Sequence, residues 1–362
     1  MGYYLGANGS ISPKDYARQN FRGVWAASLT PFNMQNPFVG APTRASPSIP
    51  QVENPFVGAP NDSENYAIYG TGGVDWAGWQ SNLRHWIDDL HISGLFIGGK
   101  QAEAASLSLA ERKKLFKTAV TEATASERAC GIITSCSDAN LATVIELAEY
   151  SQAIGADYVV IHSPVLHFHQ DINETIYEYY RYLSERLEIG IALWNHPDCG
   201  YVMSPKLCAR IAELPNIVAI KYSVERALYA ELTDLAGDKI LVSTASEPEW
   251  LDNIIELKWQ LYLCSTPPIL LQSKYDRRIN DYTNLAFAGL YDQARIVRES
   301  LDPAREAFRA SRPNGTPQAH SKYWQEKLGQ IGGMVRRPLL NLTDSERKII
   351  DQAFVRSGIA AT

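Results

Sequence analysis

The chain has 362 residues and a mass of 40.3 kDa, enough for one large core or two modest domains. Charged residues make up 20% and hydrophobic residues 45%, an ordinary globular composition. A net charge of −6 and a pI near 5.7 exclude a basic nucleic-acid footprint, and no apolar run approaches the ~18 residues of a membrane span.

The opening MGYYLGANGSISPKD lacks the charged-then-apolar layout of a secretory signal. Residues 1–21 read as an N-terminal extension. From about Arg22 onward, short apolar runs alternate with longer stretches of helical period. The runs are GVWAASL (23–29), GLFIGG (94–99), ACGIITS (129–135) and DYVVIH (157–162). IGIALW (189–194), IVAIKY (217–222), KILVST (239–244) and QLYLCS (260–265) complete eight. Each is rich in Val, Ile and Leu without polar alternation, as strands buried on both faces should be.

The intervening segments, such as LAERKKLFKTAVTEA and ANLATVIELAEYSQAIG, are amphipathic. Ser137-Asp138 offers a cap to one helix, and Ser204-Pro205 places an N-cap before a proline at the first helical position of another. Eight buried strands alternating with helices predict a (β/α)₈ barrel over 22–275. A doubly wound open sheet would carry a glycine fingerprint after its first strand, and TPFNMQNP is not one.

Two regions fall outside the alternation. A Pro/Gly/Asn/Ser-rich insertion at about 33–73 repeats NPFVGAP at 36–42 and 54–60. It leaves the C-terminal end of the first strand, where barrel sites sit, so a lid or subunit arm is expected. The second region, 276–362, reads as a C-terminal helical domain, with helical stretches at 276–311 and 319–358 separated by SRPNGTPQ.

Five cysteines, Cys130, Cys136, Cys199, Cys208 and Cys264, show no CxxC spacing and read as small buried hydrophobes in a reducing, cytoplasmic setting. Barrel chemistry comes from strand C-termini. Lys221 closes the sixth run, where partial desolvation favours a free, nucleophilic amine. Trp194, Asn195 and His196 end the fifth, with Thr30 and Ser265 after the first and at the end of the eighth. After the second run, Gly99 permits close backbone approach, and Lys100 or Gln101 can meet a carboxylate. His167 and His169 share a face if extended and suit a metal or an acid/base pair. No carboxylate or further histidine at useful spacing completes a metal site, so neither metal nor other cofactor is expected.

GVWAASLTPF, GLFIGGKQAEAASLSLAERKKL, NIVAIKYS and GGMVRRPLLNLTDSE, in that order, resemble the dihydrodipicolinate synthase / N-acetylneuraminate lyase family. The resemblance spans roughly 20–357, apart from the insertion. It implies a class I aldolase-type barrel with a C-terminal helical domain, commonly tetrameric, acting without a cofactor on a small carbonyl compound. The family's strand-six lysine, which forms a Schiff base with a 2-oxo acid, maps onto Lys221.

Departures from the family pattern are large. Its G-T-T-G-E loop reads Gly99-Lys100-Gln101-Ala102-Glu103 here, so the threonines that bind the substrate carboxylate are gone. Its proton-shuttling strand-five tyrosine falls on Trp194, and a supporting tyrosine falls near Val165 or Leu166. Asn195 and Pro197 match, while an arginine used by some members falls in a deletion around Asp198-Cys199. His167, His169, His196, Tyr222 and Glu103 are then the candidates for moving protons. The Lys221-Tyr222 pair, Ser321-Lys322-Tyr323 and an apolar lining resemble the hydratase-aldolases that cleave benzylidenepyruvates.

Three functions follow. The first is a lyase of aldolase or hydratase-aldolase type. The second is a Schiff-base dehydratase, deaminase or condensing synthase. The third is a non-catalytic binding or scaffolding descendant. A homo-oligomer, dimer or tetramer, is expected, with no nucleic-acid or membrane partner.

Overall fold

The computed structural model describes residues 11–33, 72–164, 170–263, 266–313 and 317–359. The eight apolar runs coincide with eight strands, the fifth strand ending one residue beyond its run: β1 (Gly23–Ala27), β2 (Gly94–Ile97), β3 (Gly131–Ser135), β4 (Tyr158–His162), β5 (Gly190–Asn195), β6 (Ile217–Tyr222), β7 (Leu241–Ser243) and β8 (Leu261–Leu263). The strands pair in parallel in the order β7-β6-β5-β4-β3-β2-β1-β8. At the seam, Ser243 Oγ accepts the Leu263 backbone N–H at 2.7 Å, so a side chain links β7 to β8. The result is a (β/α)₈ barrel.

Helices α1 (Pro13–Asn20), α2 (Trp76–Arg84), α3 (Leu109–Ala125), α4 (Leu141–Ile154), α5 (Ile172–Arg186), α6 (Pro205–Ile211), α7 (Arg226–Ala236) and α8 (Trp250–Leu257) follow the chain. Ser204 caps α6 as its sequence indicates, accepting the Leu207 N–H at 3.2 Å. The cap of α4 is Asn140 instead of Ser137-Asp138. Ser137 Oγ is taken up by the His162 backbone N–H at 3.0 Å, and Asp138 pairs with Arg112.

Two apolar layers result. One lies between strands and helices and includes Ile161, Leu193, Ile220 and Tyr222. The other fills the barrel with Trp25, Phe96, Ile133, Val160, Trp194 and Leu263. At the N-terminal end of the strands the ring of Trp25 occupies the space that Gly94 and Gly131 leave, where a Cβ would come within 2.2 Å of it. Phe21 and Tyr158 stack beside it with centroids 4.2 Å apart. The short helix α1 is tied alongside, Tyr16 donating to Asp157 at 2.9 Å and Lys14 to the Ala212 carbonyl at 2.5 Å. This end is plugged by aromatic rings, which leaves the C-terminal ends of the strands to hold a ligand.

The remaining helices are α9 (Pro267–Leu270), α10 (Arg278–Phe287), α11 (Tyr291–Glu299), α12 (Asp302–Ala310), α13 (Pro317–Lys327) and α14 (Asp344–Ser357). The helical stretch read at 319–358 is broken, because residues 328–343 lie outside the helices. Gly333 there has φ +70°, and a Cβ on Gly332 would sit 2.1 Å from the Lys322 carbonyl oxygen, so a continuous helix of ordinary residues does not fit. The break sends the chain back to the barrel, where Met334 forms an antiparallel bridge with Phe32 just beyond β1.

The NPFVGAP repeats lie outside the described residues, and so do His167, His169, Cys264 and Ser265. The root of the insertion is described. Phe32 bridges Val74, and the Asn33 N–H donates to Gly73 O at 3.1 Å, so the chain leaves and re-enters side by side. Among the described residues no helix is long and apolar enough to cross a membrane.

Candidate active site

Strand parity decides which groups enter the barrel. On β4, Tyr158 and Val160 face inward, which puts His162 on the same side. On β5, Ala192 and Trp194 face inward. Simple alternation on β6 from Val218 would turn Lys221 outward. A β-bulge prevents this: the β5–β6 register shifts between Ile191 and Ala192, and Val218 and Ala219 both belong to the interior layer. Ile220 and Tyr222 then face the helices, and Lys221 points into the barrel opposite Trp194.

Lys221 is 4% exposed. Its Nζ lies 4.8 Å from the Trp194 ring centroid and 5.5 Å from that of Phe96, so the amine rests against aromatic walls. Trp194 makes edge contacts with Phe96 at 5.7 Å, with His162 at 4.0 Å and with His196 at 6.4 Å. Its indole N–H is buried and has no hydrogen-bond partner among the described residues. His162 is pushed down to a pKa of about 4, first by burial and then by the positive charge of Lys221, by His196 when that ring is protonated, and by Lys100. His196, half-buried, is lowered by burial and then by Lys100 and Lys221. Both imidazoles are therefore neutral at neutral pH, and the charges acting on them are all positive.

Gly99 lets the loop after β2 fold onto the barrel interior, since a Cβ there would meet the Phe96 ring at 2.7 Å. Lys100 opens a short 3-10 turn, Lys100–Ala102, and is exposed at the rim, with Gln101 half-buried beside it.

The structure redirects four of the sequence-derived candidates. Tyr222 faces the helix layer and its hydroxyl donates to the Met203 carbonyl at 2.6 Å, so it shuttles no proton at Lys221. Asn195 has the same parity, and its Nδ2 donates to the same carbonyl at 3.2 Å. Thr30 donates to the Ala102 carbonyl at 3.0 Å and ties the end of β1 to the loop after β2. Glu103 is buried and ion-paired with Lys322, and its other oxygen accepts the Arg336 backbone N–H at 2.9 Å. Its carboxylate anchors the loop to the C-terminal segment. Conversely, His162 and Phe96 enter the site although neither was singled out. Period-two alternation back from His162 through Val160 to Tyr158 was the signal available for the histidine.

The redirection of Tyr222 has a measurable consequence. Tyr222→Phe should leave turnover within about twofold and lower unfolding stability by about 1 kcal/mol, the worth of one buried hydrogen bond. Steady-state rates beside urea denaturation check this. A hundredfold loss of rate with an intact fold would return the hydroxyl to the chemistry.

The model of the dihydrodipicolinate synthetase family matches residues 67–355. A 4-hydroxy-tetrahydrodipicolinate synthase from Clostridium perfringens is 25% identical over 169 residues, covering 46% of this chain but only 56% of that protein, so the match spans little more than half of its length. The enzyme of that name from Stutzerimonas stutzeri is 23% identical over 299 residues, covering 80% of this chain and 94% of its own. The chloride-inhibited dihydrodipicolinate synthase of Acinetobacter baumannii, whose crystal structure holds pyruvate, superposes with a TM-score of 0.72 at 20% identity, covering 94% of this chain and 100% of that one. That likeness is one of fold. With a family match over most of its length and the corresponding barrel, the chain belongs to the dihydrodipicolinate synthetase family.

Proposed function

We propose that this chain is a Schiff-base lyase of the aldolase or hydratase-aldolase type, acting on a 2-oxo acid or related carbonyl compound with an aromatic part. One observation carries the reading: a lysine at the C-terminal end of β6, 4% exposed, turned into the barrel by a bulge at Val218 and set against two aromatic rings. An amine so placed attacks a carbonyl carbon and loses water to give an iminium. That cation accepts, through C3, the electrons of the C3–C4 bond as it breaks, leaving an enamine.

The surroundings support the substrate class. Lys100, Lys221 and the Trp194 N–H are donors for a carboxylate, and the charge around the imidazoles is positive. Phe96 and Trp194 supply apolar faces for an aromatic group. A second reading, a condensing synthase using the same imine, is favoured by the names of the curated relatives. Product analysis separates the two, since a retro-aldol step releases two carbon fragments.

The test is borohydride reduction in the presence of pyruvate and, separately, aromatic 2-oxo acids, read by peptide mass spectrometry. A stable adduct on the peptide bearing Lys221 is the expected result. Absence of any adduct across that panel would overturn the Schiff-base reading.

A further inference from the structure

We propose that His162 is the group that moves the substrate proton at the Lys221 imine, a role that rests on the Schiff-base reading above. The three strands that end at the site set this up. His162 pairs in register with Trp194, and Trp194 with Lys221, so the imidazole, the indole and the amine form one row across β4, β5 and β6. The imidazole ring packs edge-on against the indole at 4.0 Å, and the indole lies 4.8 Å from the amine. Ser137 Oγ accepts the His162 backbone N–H at 3.0 Å and fixes the strand end that carries the ring.

Chemistry then selects among the inward groups. An iminium at Lys221 becomes an enamine only when a base removes a proton from the neighbouring carbon. The Trp194 indole N–H is a donor without basicity, Phe96 has no acid–base group, and Ser243 Oγ already accepts the Leu263 N–H. His162 Nε2 is closed off from solvent and has no hydrogen-bond partner among the described residues. His196 is the rival, and its ring is farther from the indole, at 6.4 Å.

The groups that charge this corner at neutral pH are Lys221 on β6 and Lys100 after β2, with His196 after β5 adding charge only when protonated; with burial they keep His162 neutral and able to accept a proton. A bound carboxylate brings negative charge among those cations and raises the proton affinity of the imidazole as the substrate arrives. In the step itself, Nε2 takes a proton from C3 of the iminium. The C–H electron pair becomes the C2–C3 double bond, and the C2–N π pair returns to nitrogen, leaving a neutral enamine and an imidazolium. The imidazolium N–H exchanges with water that enters with the substrate, and in the reverse step Nε2 returns that solvent-derived proton to C3 as the iminium re-forms.

Pyruvate in deuterium oxide isolates this step, since proton NMR reads loss of its methyl signal. The wild-type chain should catalyse the exchange, and His162→Gln should slow it by roughly 100-fold or more while borohydride still traps pyruvate on Lys221 after long incubation. The trapped adduct shows that the variant is folded and forms the imine. Exchange at the wild-type rate in His162→Gln, or loss of exchange in His196→Gln alone, would overturn the assignment. So would a wild-type chain that is trapped by borohydride yet exchanges no methyl proton, with the Schiff base left standing. A wild-type chain that gives no adduct with pyruvate or with any of the aromatic 2-oxo acids removes the Schiff base, and this role falls with it.

Discussion

Lys221→Ala should reduce turnover of an arylidene 2-oxo acid by at least about 1,000-fold and eliminate the borohydride adduct, while the barrel still folds. The size of the effect follows from the kind of group removed. Without a covalent amine there is no iminium to take up the electrons of the breaking bond, and hydrogen-bond donors at the rim cannot substitute for it. Retention of the fold follows from the location, because the interior layer of Trp25, Phe96, Ile133, Val160 and Leu263 is untouched. Lys221→Met controls for packing: it fills the space between Phe96 and Trp194 with a flexible apolar chain and should be as inactive as the alanine variant. Turnover and mass spectrometry on both variants, with circular dichroism beside them, check the prediction. Substantial activity in either folded variant would end the Schiff-base mechanism.

The barrel was legible because burial on both faces leaves a plain mark, short runs of Val, Ile and Leu such as YVVI and IVAI between amphipathic stretches. The strand-six lysine was legible for the same reason, as a charge closing an apolar run. What the sequence hid is direction. Asn195 and Tyr222 flank the inward pair Trp194 and Lys221 by one residue each, and one residue along a strand is the difference between lumen and helix layer. The bulge that restores Lys221 to the lumen leaves no compositional trace, since IVAIKY reads equally well with or without it. Glu103 was concealed differently. Its partner Lys322 lies far away in sequence on α13, and the carboxylate's other oxygen is met by Arg336 in the non-helical return of residues 328–343, which the helical periodicity on either side disguised.

Lys322, on α13 just before that return, is where the second large effect lies. Lys322→Met should destabilise the chain by about 3–5 kcal/mol, because it strands the Glu103 carboxylate in a buried site without its counter-charge. The two side chains are 1% and 0% exposed, so neither charge can be solvated in place. Burial already drives the Lys322 pKa down, and the attraction of Glu103 opposes it. The ammonium also donates to the Met334 carbonyl at 2.7 Å and lies 4.3 Å over the Phe32 ring, as does the Arg336 guanidinium. Arg336 extends the network, donating to Gly72 O at 2.7 Å at the root of the insertion and pairing with Glu111 at 2.6 Å. One cluster thus joins the end of β1, the loop after β2 and the C-terminal segment. Adding Glu103→Gln to Lys322→Met should recover much of the loss, since the neutral amide has no charge to strand. Urea denaturation of both single variants and the double variant measures the coupling, and strictly additive losses would refute it. Because Glu103 sits four residues after Gly99, the single variants should also loosen the loop that closes over Phe96, so pyruvate trapping on Lys221 should slow in step with the stability lost and recover in the double variant.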